Sequence, residues 1–460
     1  MKKVIILLVL VLSALSVLGQ SPGVQSVVRE IDNTGSIYTQ KIAVLNTDTT
    51  IILSQAANGS HYDFYLVDEN SNVVNQAAIP SNFVVNDFKI LDNMVYFCGE
   101  VTQERVTSGY VARASVNDLF FYSNFDWDSI KTTRSIDKIQ VYKDTTSKQF
   151  VQIVGIGKAI ASGLSIFVHC DEGNSWNYDI YQNIYDPTEV FDDIILKDDY
   201  STSHTFQNVF VIGRVDNENK IVVRKFDMYN ISNTEDYYYD INATLNKTAP
   251  YPLVADSLIY KHIAVAGILQ DNITGNEETN IFAVDIVGPS GAVAFFVPFI
   301  QTYGNYNKGE AVIRDLLFDA INDTGGNLLV LEDISFIPSN TLNSIYILSD
   351  PISTYLSYTA DMIYSDINGI NYPFNSLSTF QYHNFLAAGI NLNNAKIDIW
   401  NADRNVLGGN CNMLINENIT VHTGDLLQPI NPLIRIFTDR ILWNVENDNN
   451  LEIQINVNCN

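Results

Sequence analysis

The sequence predicts an all-β protein built as a single β-propeller, and three observations support this fold class. Tyr and Phe are abundant, at 25 and 23 residues, whereas Pro and Met number only 12 and 5. With many Val, Ile, Asn and Asp, this composition is typical of strands joined by polar turns. After the N-terminal segment, no window keeps the apolar spacing of an amphipathic helix over three turns. Finally, one module of about four strand-sized segments recurs along the chain.

Each module begins with an Asp in an alternating apolar stretch and continues, after a polar gap, into an apolar strand that often ends in Gly. The Asp recurs at Asp87, Asp137, Asp193, Asp256, Asp315 and Asp366. The Gly recurs at Gly99, Gly155, Gly213, Gly267 and Gly389, and Val330 takes its place in the remaining copy. Four-strand units repeated at roughly 55 residues predict the blades of a propeller, which bury their sheet faces against each other.

The ends of the chain are expected to close the ring. Six modules lie between residues 84 and 400, and residues 51–67 and 440–457 each resemble part of a blade. Because an open ring would expose two sheet edges, we expect these two parts to share one closing blade. This predicts seven blades, with eight or six as alternatives, in one domain over residues 20–460. A two-domain sandwich would need a linker, and no Pro/Gly/Ser-rich linker is visible.

The first 19 residues have the features of a cleaved signal peptide. Lys2 and Lys3 precede an apolar run at 4–12, and small residues at 17–19 precede Gln20. This run is shorter than the ~20 residues needed to span a bilayer. Gln20 also stands where a bacterial lipoprotein has its Cys. We therefore expect a mature chain without a transmembrane segment that is secreted, periplasmic or at the cell surface.

The charge and the cysteines limit the partners and the cross-links. Lys and Arg number 26 against 52 Asp and Glu, for a formal net charge of −26. Such a protein repels polyanions, so nucleic acid is not expected as a partner. Four cysteines in an exported chain of 460 residues permit three disulfide pairings but are too few to hold the fold. A Cys411–Cys459 bridge is one hypothesis, and four buried thiols, with Cys98 and Cys170, are the other.

One short motif resembles the Asp-box of sialidase-like propellers, whose pattern is Ser/Thr-x-Asp-x-Gly-x-Thr/Ser-Trp. The chain matches it at Asp171, Gly173, Ser175 and Trp176, and departs from it at His169. The resemblance implies a structural hairpin between the outer strands of a blade: Asp caps turn amides, Gly supplies a positive φ and Trp packs beneath. The chain also resembles uncharacterised exported propellers of Bacteroidales in its Tyr-Phe-Cys-Gly strand at 96–99.

Catalytic motifs are not found. A sialidase-like site would need three converging Arg; Arg134, Arg214 and Arg314 are the candidates, but Arg214 is expected in a solvated turn. The Gly-x-Ser-x-Gly motif is absent, and the six His lack metal-ligand spacing. The recurring Asp could form a carboxylate ring around the channel that holds Ca²⁺ or a cationic ligand. We favour instead caps of backbone amides at the start of the innermost strands, and therefore expect no cofactor or metal.

Aromatic clusters beside turns remain as candidate ligand-binding groups. They are Tyr237, Tyr238 and Tyr239, and Phe120, Phe121 and Tyr122. Such rings stack on sugars, although packing between blades is the alternative for each. The sequence thus favours a non-enzymatic binding module of the cell envelope or exterior, with a glycan or protein ligand. The alternatives are a propeller glycosidase of the sialidase-like kind and a structural subunit of an envelope assembly.

Overall fold

A computed structural model of the chain describes residues 27–31, 36–56, 58–70, 72–130 and 133–143. Beyond these it describes mainly the strands given below, up to residue 429. The predicted signal peptide and residues 430–460 lie outside the described residues. Within the described part, no helix is long and apolar enough to cross a membrane.

The described strands form seven antiparallel sheets, which we number in ring order. Strand β1 (Val27–Ile31) belongs to the last of them. Sheet 1 contains β2 (Ser36–Asn46), β3 (Thr49–Ala56), β4 (Tyr62–Asp68) and β5 (Val73–Ile79). Sheet 2 contains β6 (Phe83–Leu91), β7 (Met94–Gln103), β8 (Val106–Ser115) and β9 (Asp126–Ile130), with helix α1 (Val116–Tyr122) between the last two strands. Sheet 3 contains β10 (Thr133–Lys143), β11 (Val151–Ala159), β12 (Leu164–Asp171) and β13 (Trp176–Ile184).

The second half of the ring repeats this plan. Sheet 4 contains β14 (Glu189–Asp198), β15 (Gln207–Val215), β16 (Lys220–Asp227) and β17 (Thr234–Ile241). Sheet 5 contains β18 (Val254–Ser257), β19 (His262–Gln270), β20 (Glu277–Asp285) and β21 (Phe299–Thr302). Sheet 6 contains β22 (Ala311–Asn322), β23 (Gly325–Phe336), β24 (Asn340–Ser349) and β25 (Ala360–Tyr364). Sheet 7 contains β26 (Phe374–Phe380), β27 (Asn384–Asn391) and β28 (Lys396–Asp403), and β1 is its fourth strand.

The sheets form a closed ring. The first strand of each sheet is its innermost strand; it contacts the innermost strand of the next sheet, and β26 contacts β2 in turn. The N-terminal strand closes the last sheet, because β1 pairs antiparallel with β28 from Val27↔Asn401 to Ile31↔Ile397. The prediction of an all-β propeller whose ends share a closing sheet is therefore confirmed.

The prediction that residues 51–67 belong to the closing sheet was wrong. Residues 51–67 lie in β3 and β4 of sheet 1, which is complete without any C-terminal strand. The innermost strand of sheet 1 contains no Asp, so the sequence pattern did not reveal this sheet as a full module. Residues 440–457 lie outside the described residues.

The segment after sheet 7 adds strands to the outside of the ring. Strand β29 (Ile419–His422) pairs with β21 at the edge of sheet 5, and β30 (Leu427–Pro429) pairs with β17 at the edge of sheet 4. These two sheets therefore have five described strands. The chain covers outer edges that would otherwise carry unpaired backbone groups.

The core lies between the faces of adjacent sheets. Phe64 of sheet 1 is buried edge-on against Phe88 and Phe97 of sheet 2, with ring centroids 5.4 Å apart in both pairs. Burial of one such side chain is worth about 1.5–3 kcal/mol relative to exposure. Interlocked apolar faces of this kind hold neighbouring sheets together and leave the edges of the innermost strands facing the axis.

A β-bulge recurs in the innermost strands and explains the recurring Gly. In sheet 2 the bulge falls between Val85 and Asp87, opposite Gly99. A Cβ on Gly99 would lie 1.8 Å from the carbonyl oxygen of Val84, so the close approach of the bulged strand requires Gly.

The residues opposite the equivalent bulges in two other sheets differ from those predicted. In sheet 3 this residue is Gly157, opposite Ile136, instead of Gly155. In sheet 6 it is Glu332, opposite Ile313, instead of Val330. The register of strand pairing decides this position, and a one-dimensional count of spacings cannot determine it.

Candidate functional site

The innermost strands bring a set of charged side chains to the axis of the ring. The position directly after the bulge, or its equivalent in β18, is occupied in ring order by Lys41, Asp87, Lys138, Asp193, Val254, Asp315 and Ser376. Lysine and aspartate thus alternate over the first four sheets. Five of these side chains are charged, namely Lys41, Asp87, Lys138, Asp193 and Asp315. Together with Lys89, which lies two residues after Asp87 on β6, we call them the axial cluster.

The aspartate of sheet 2 joins three sheets. Asp87 Oδ1 accepts a hydrogen bond from Lys41 Nζ of sheet 1. Its Oδ2 accepts a hydrogen bond of 3.0 Å from the backbone N–H of Ile139 in sheet 3. Burial acts to raise the pKa of Asp87, but the ammonium groups of Lys41, Lys89 and Lys138 outweigh it and hold this pKa below its usual value.

The same arrangement repeats two sheets further along. Asp193 Oδ2 accepts a hydrogen bond of 2.9 Å from the backbone N–H of Ala255 in sheet 5. Lys138 Nζ of sheet 3 lies 3.7 Å from Asp193 Oδ1. The carboxylate of Asp193 raises the pKa of Lys138, although burial opposes it. Lys138 is thereby held as a cation between sheets 3 and 4.

The aspartate of sheet 6 has the backbone contacts but no lysine before it in the ring. Asp315 Oδ2 accepts hydrogen bonds from the backbone N–H of Leu377, at 2.7 Å, and from Ser376 Oγ, at 3.1 Å, both in sheet 7. Val254 stands at the position of the preceding lysine. Burial raises the pKa of Asp315, and the backbone bond and the more distant charges of Lys138 and Lys41 offset this only in part.

The recurring Asp of the sequence therefore fall into three groups. Asp87, Asp193 and Asp315 share the position after the bulge and bond to a backbone amide of the next sheet, whereas the sequence suggested an amide at the start of a strand. Asp137 occupies the bulge itself, where its Oδ1 accepts from Ser135 Oγ at 2.9 Å. Asp256 lies two residues beyond the equivalent position, and Asp366 lies outside the described residues. Because Lys41 and Lys138 alternate with the aspartates, this position does not form a ring of carboxylates alone.

Lys89 differs from the other two lysines of the axial cluster. It lies two residues after Asp87 on the same side of β6 and is half-buried. Among the described residues it makes no hydrogen bond or ion pair. Burial lowers its pKa to about 8; Lys41 and Lys138 act in the same direction, and Asp87 and Asp193 oppose them.

Helix α1 carries the most exposed aromatic side chains of the described residues. Ser115 Oγ caps its first turn by accepting from Asp118 N at 3.0 Å, and Val116 N donates to Asn93 O at 3.1 Å. Leu119 and Phe120 are buried in the core between sheets 1 and 2. The next two residues point outward: Phe121 is 62% exposed and Tyr122 is 75% exposed.

The side chains of Phe121 and Tyr122 lie on one defined side of the propeller. The bond from α1 to Asn93 places the helix beside the β6–β7 turn, and we call this side the helix face. Helix α1 also contacts β5 of sheet 1, whose exposed Val73 and Val74 lie at the same end of the sheet. Exposed apolar side chains thus gather at the junction of sheets 1 and 2.

The predicted aromatic clusters divide accordingly. Phe120 packs between sheets, while Phe121 and Tyr122 remain available to a ligand. Residues 237–239 belong to β17, and their side chains lie outside what the structure describes.

The Asp-box-like motif spans a hairpin of sheet 3. Asp171 ends β12 and pairs with Trp176, which begins β13; Gly173 and Ser175 lie outside the described residues. The guanidinium carbon of Arg113 in sheet 2 lies 4.5 Å from the centroid of the Trp176 ring. Arg113 Nη2 also bonds Asp126 Oδ2 at 2.9 Å. Trp176 therefore packs on the neighbouring sheet.

The candidate catalytic arginines do not have the expected surroundings. The prediction that Arg214 lies in a solvated turn was wrong: it is buried within β15, and its Nη1 bonds both carboxylate oxygens of Asp192, at 2.8 and 2.6 Å. Asp192 occupies the bulge of β14, and this neighbouring carboxylate allows the cation to be buried. Arg134 is exposed and Arg314 half-buried.

Of the four cysteines, Cys98 and Cys170 lie within the described residues. Cys98 is a free, buried thiol whose Sγ donates to Ile136 O at 3.8 Å, and burial raises its pKa. Cys170 belongs to β12. Cys411 and Cys459 lie outside the described residues, so their disulfide bridge remains a prediction.

Several solved structures match most of the length of this chain at low identity and low TM-score. The polysaccharide lyase Uly1 is 8% identical, with a TM-score of 0.44 over 82% of this chain and 91% of that one. The WD40 domain of SCAP from fission yeast is 10% identical, with a TM-score of 0.39 over 83% and 98%. The Bombyx mori GH32 β-fructofuranosidase BmSUC1 is 7% identical, with a TM-score of 0.30 over 84% and 91%. No protein-family model matches the sequence, and neither does any curated protein. The sheet topology described above carries the fold assignment.

Proposed function

We propose that this protein is an exported, non-enzymatic binding module that takes a neutral glycan on the helix face. The observation that carries this proposal is the exposed pair Phe121–Tyr122 on a short helix that is anchored at both ends. Ser115 caps the start of α1, and Ser123 at its end adopts a left-handed conformation with φ 49°. Buried Leu119 and Phe120 hold the helix body in place. Aromatic rings held rigidly at a surface stack on sugar faces at little cost in conformational entropy.

The charge of the chain favours a neutral ligand. With a formal net charge of −26, the protein repels polyanionic glycans as well as nucleic acid. A neutral sugar presents apolar ring faces for Phe121 and Tyr122, and hydroxyl groups for polar neighbours. Export follows from the predicted signal peptide of the first 19 residues.

A binding role fits the axial cluster better than a catalytic one. Each of Asp87, Asp193 and Asp315 holds a backbone amide of the next sheet, and two of them also pair with a lysine. Carboxylates committed to contacts between sheets are poor general acids or bases, because releasing a contact leaves a buried amide or ammonium group unpaired.

The experiment is a panel of neutral oligosaccharides presented to the mature protein, followed by measurement of the Kd of the best ligand. We expect Phe121→Ala combined with Tyr122→Ala to weaken this Kd by about tenfold or more, since stacking contributes about 0.5–1.5 kcal/mol per ring beyond buried area. The melting temperature should stay unchanged because both rings are exposed. Val106→Ala is the matched control, since Val106 is exposed beside the β7–β8 turn at the opposite end of sheet 2.

Three outcomes would overturn the proposal. An unchanged Kd in the double variant would show that Phe121 and Tyr122 do not contact the ligand. Turnover of an oligosaccharide that is lost on changing an acidic residue would favour the glycosidase alternative. A stable co-purifying envelope protein, with no glycan affinity, would favour the structural subunit.

A further inference from the structure

Lys89 has an unusual place in the axial cluster. Successive side chains of a strand point to opposite faces, so Lys89 lies on the same side as Asp87, one step nearer the helix face. The β6–β7 turn follows only three residues later. Charged groups of its own strand and of three other innermost strands act on Lys89: Asp87, Lys41, Lys138 and Asp193. Asp315 completes the cluster on β22.

The other two lysines of the cluster have carboxylate partners. Lys41 is bonded to Asp87, and Lys138 lies within ion-pair distance of Asp193. Lys89 has neither a carboxylate nor a carbonyl within bonding distance among the described residues. A half-buried ammonium group in this position loses part of its hydration without a replacement, and that loss is offset when a counter-ion is bound.

We propose that a small carboxylate anion binds at Lys89, at the axis of the ring on the side of the helix face. A single carboxylate matches one unpaired ammonium group in charge, and its two oxygens accept hydrogen bonds from Nζ. Lys41 and Lys138 add a favourable potential at longer range, while Asp87 and Asp193 limit it. These opposing charges, and the acidity of the whole chain, select a small monovalent anion over a polyanion.

Acetate is the probe, with chloride at equal ionic strength as the reference. The mature protein is labelled with [ε-¹³C]lysine, and the NMR signal of Lys89 is identified by its loss in Lys89→Met. We expect acetate, and not chloride, to shift this signal saturably. The exposed Lys158 is the internal control and Lys158→Met the matched variant; neither its signal nor its removal should report on acetate binding.

The pH dependence distinguishes an ion pair with Lys89 from nonspecific screening. Because acetate binds the protonated amine, and the pKa of Lys89 is about 8, the Kd should weaken about thirtyfold between pH 6.5 and 9.5. Lys89→Arg keeps a permanent charge, so this variant should bind acetate with little change over the same pH range.

The proposal is overturned by a Lys89 signal that acetate leaves unchanged, or that chloride shifts equally. It is also overturned by an unchanged Kd in folded Lys89→Met, or by the same loss of affinity at high pH in Lys89→Arg. If Lys89→Met does not fold, the wild-type titration and Lys89→Arg decide the outcome.

Discussion

The junction of sheets 1 and 2 and that of sheets 5 and 6 have the same backbone plan but different charges. Asp87 and Asp315 occupy the same position after a bulge, and each accepts a hydrogen bond from a backbone amide of the following sheet. The preceding sheet supplies Lys41 in the first case and Val254 in the second. The pKa is lowered at Asp87 and raised at Asp315. The ring therefore favours the charged form of the carboxylate at Asp87, where a lysine stands beside it, and disfavours it at Asp315, where none does.

This comparison predicts that the junction of sheets 5 and 6 is less stable than the junction of sheets 1 and 2. The closing sheet has full strand pairing between β1 and β28. Sheet 7 also bonds to sheet 1 at the axis, where Ser378 Oγ accepts from Val44 N at 3.2 Å. Sheets 5 and 6, by contrast, lack an ion pair at the equivalent axial position, where Val254 precedes Asp315.

Removal of the charge at Asp87 is expected to have the largest effect. Asp87→Asn leaves Lys41 without its carboxylate and offers Ile139 N a weaker acceptor, so we expect a loss of about 3 kcal/mol in the free energy of unfolding at pH 7. Urea unfolding followed by tryptophan fluorescence measures it. Asp137→Asn is the control, because Asp137 bonds only Ser135 among the contacts described and should cost less than about 1 kcal/mol. Equal losses in the two variants would contradict the role of the lysine.

A lysine introduced before Asp315 is expected to stabilise the junction of sheets 5 and 6. Val254→Lys places an ammonium group where Lys41 and Lys138 stand in other sheets, and should lower the pKa of Asp315. We expect a coupling energy of about 1–2 kcal/mol between the introduced ammonium group and Asp315. The substitution also removes the buried side chain of Val254, and the cycle separates this packing loss from the coupling energy. A double-mutant cycle of Val254→Lys and Asp315→Asn at pH 7 measures it. A coupling energy of zero would show that the two positions do not meet at the axis.

The smallest effect is expected from neutralising Asp315. Burial raises its pKa, so its stabilising contribution is complete below the unfolded pKa of 3.8 and is lost as the pH rises through the folded value. Asp315→Asn mimics the protonated form and should change stability by less than about 1 kcal/mol at pH 7.

The pH profiles of the two variants should then have opposite signs. The pKa of Asp87 is lowered, so its contribution is present above pH 3.8 and is lost as the pH falls through the folded value. The deficit of Asp87→Asn relative to wild type should shrink on acidification, whereas Asp315→Asn should lose any advantage. Unfolding midpoints in urea, measured between pH 3 and 7, test this. If the stabilities of the two variants relative to wild type changed with pH in the same direction, the difference between Asp87 and Asp315 would be contradicted.

The spacing of the repeat predicted the aspartates of the candidate site, but not the lysines that pair with them. The recurrence of Asp87, Asp193 and Asp315 was visible in the sequence, and so was the recurrence of Gly99 and Gly213. Lys41 and Lys138 were not identified, because their role depends on which residue follows the bulge in each strand, and the bulge is a property of strand pairing. The signal that could have found them is the alternation of Lys and Asp at equivalent repeat positions.

Exposure of the aromatic residues was equally undecided by the sequence. Phe120 and Phe121 are adjacent and chemically identical, yet one is buried between sheets and the other faces solvent. The difference follows from the rotation of helix α1 against β5, which depends on the packing of sheets 1 and 2. A run of aromatic residues before a turn therefore predicts a candidate surface, but not which ring is available.

The sequence by itself determined the repeat, the all-β composition and the position of most strands, because alternating apolar residues and polar turns act locally. Tertiary structure alone decided how the ring closes. Residues 27–31 and 51–67 are both apolar enough to supply a closing strand, yet β1 pairs with β28, far away in the chain. Edge pairing depends on which strand reaches the open sheet once the other sheets have packed, and residues 51–67 are by then buried inside sheet 1.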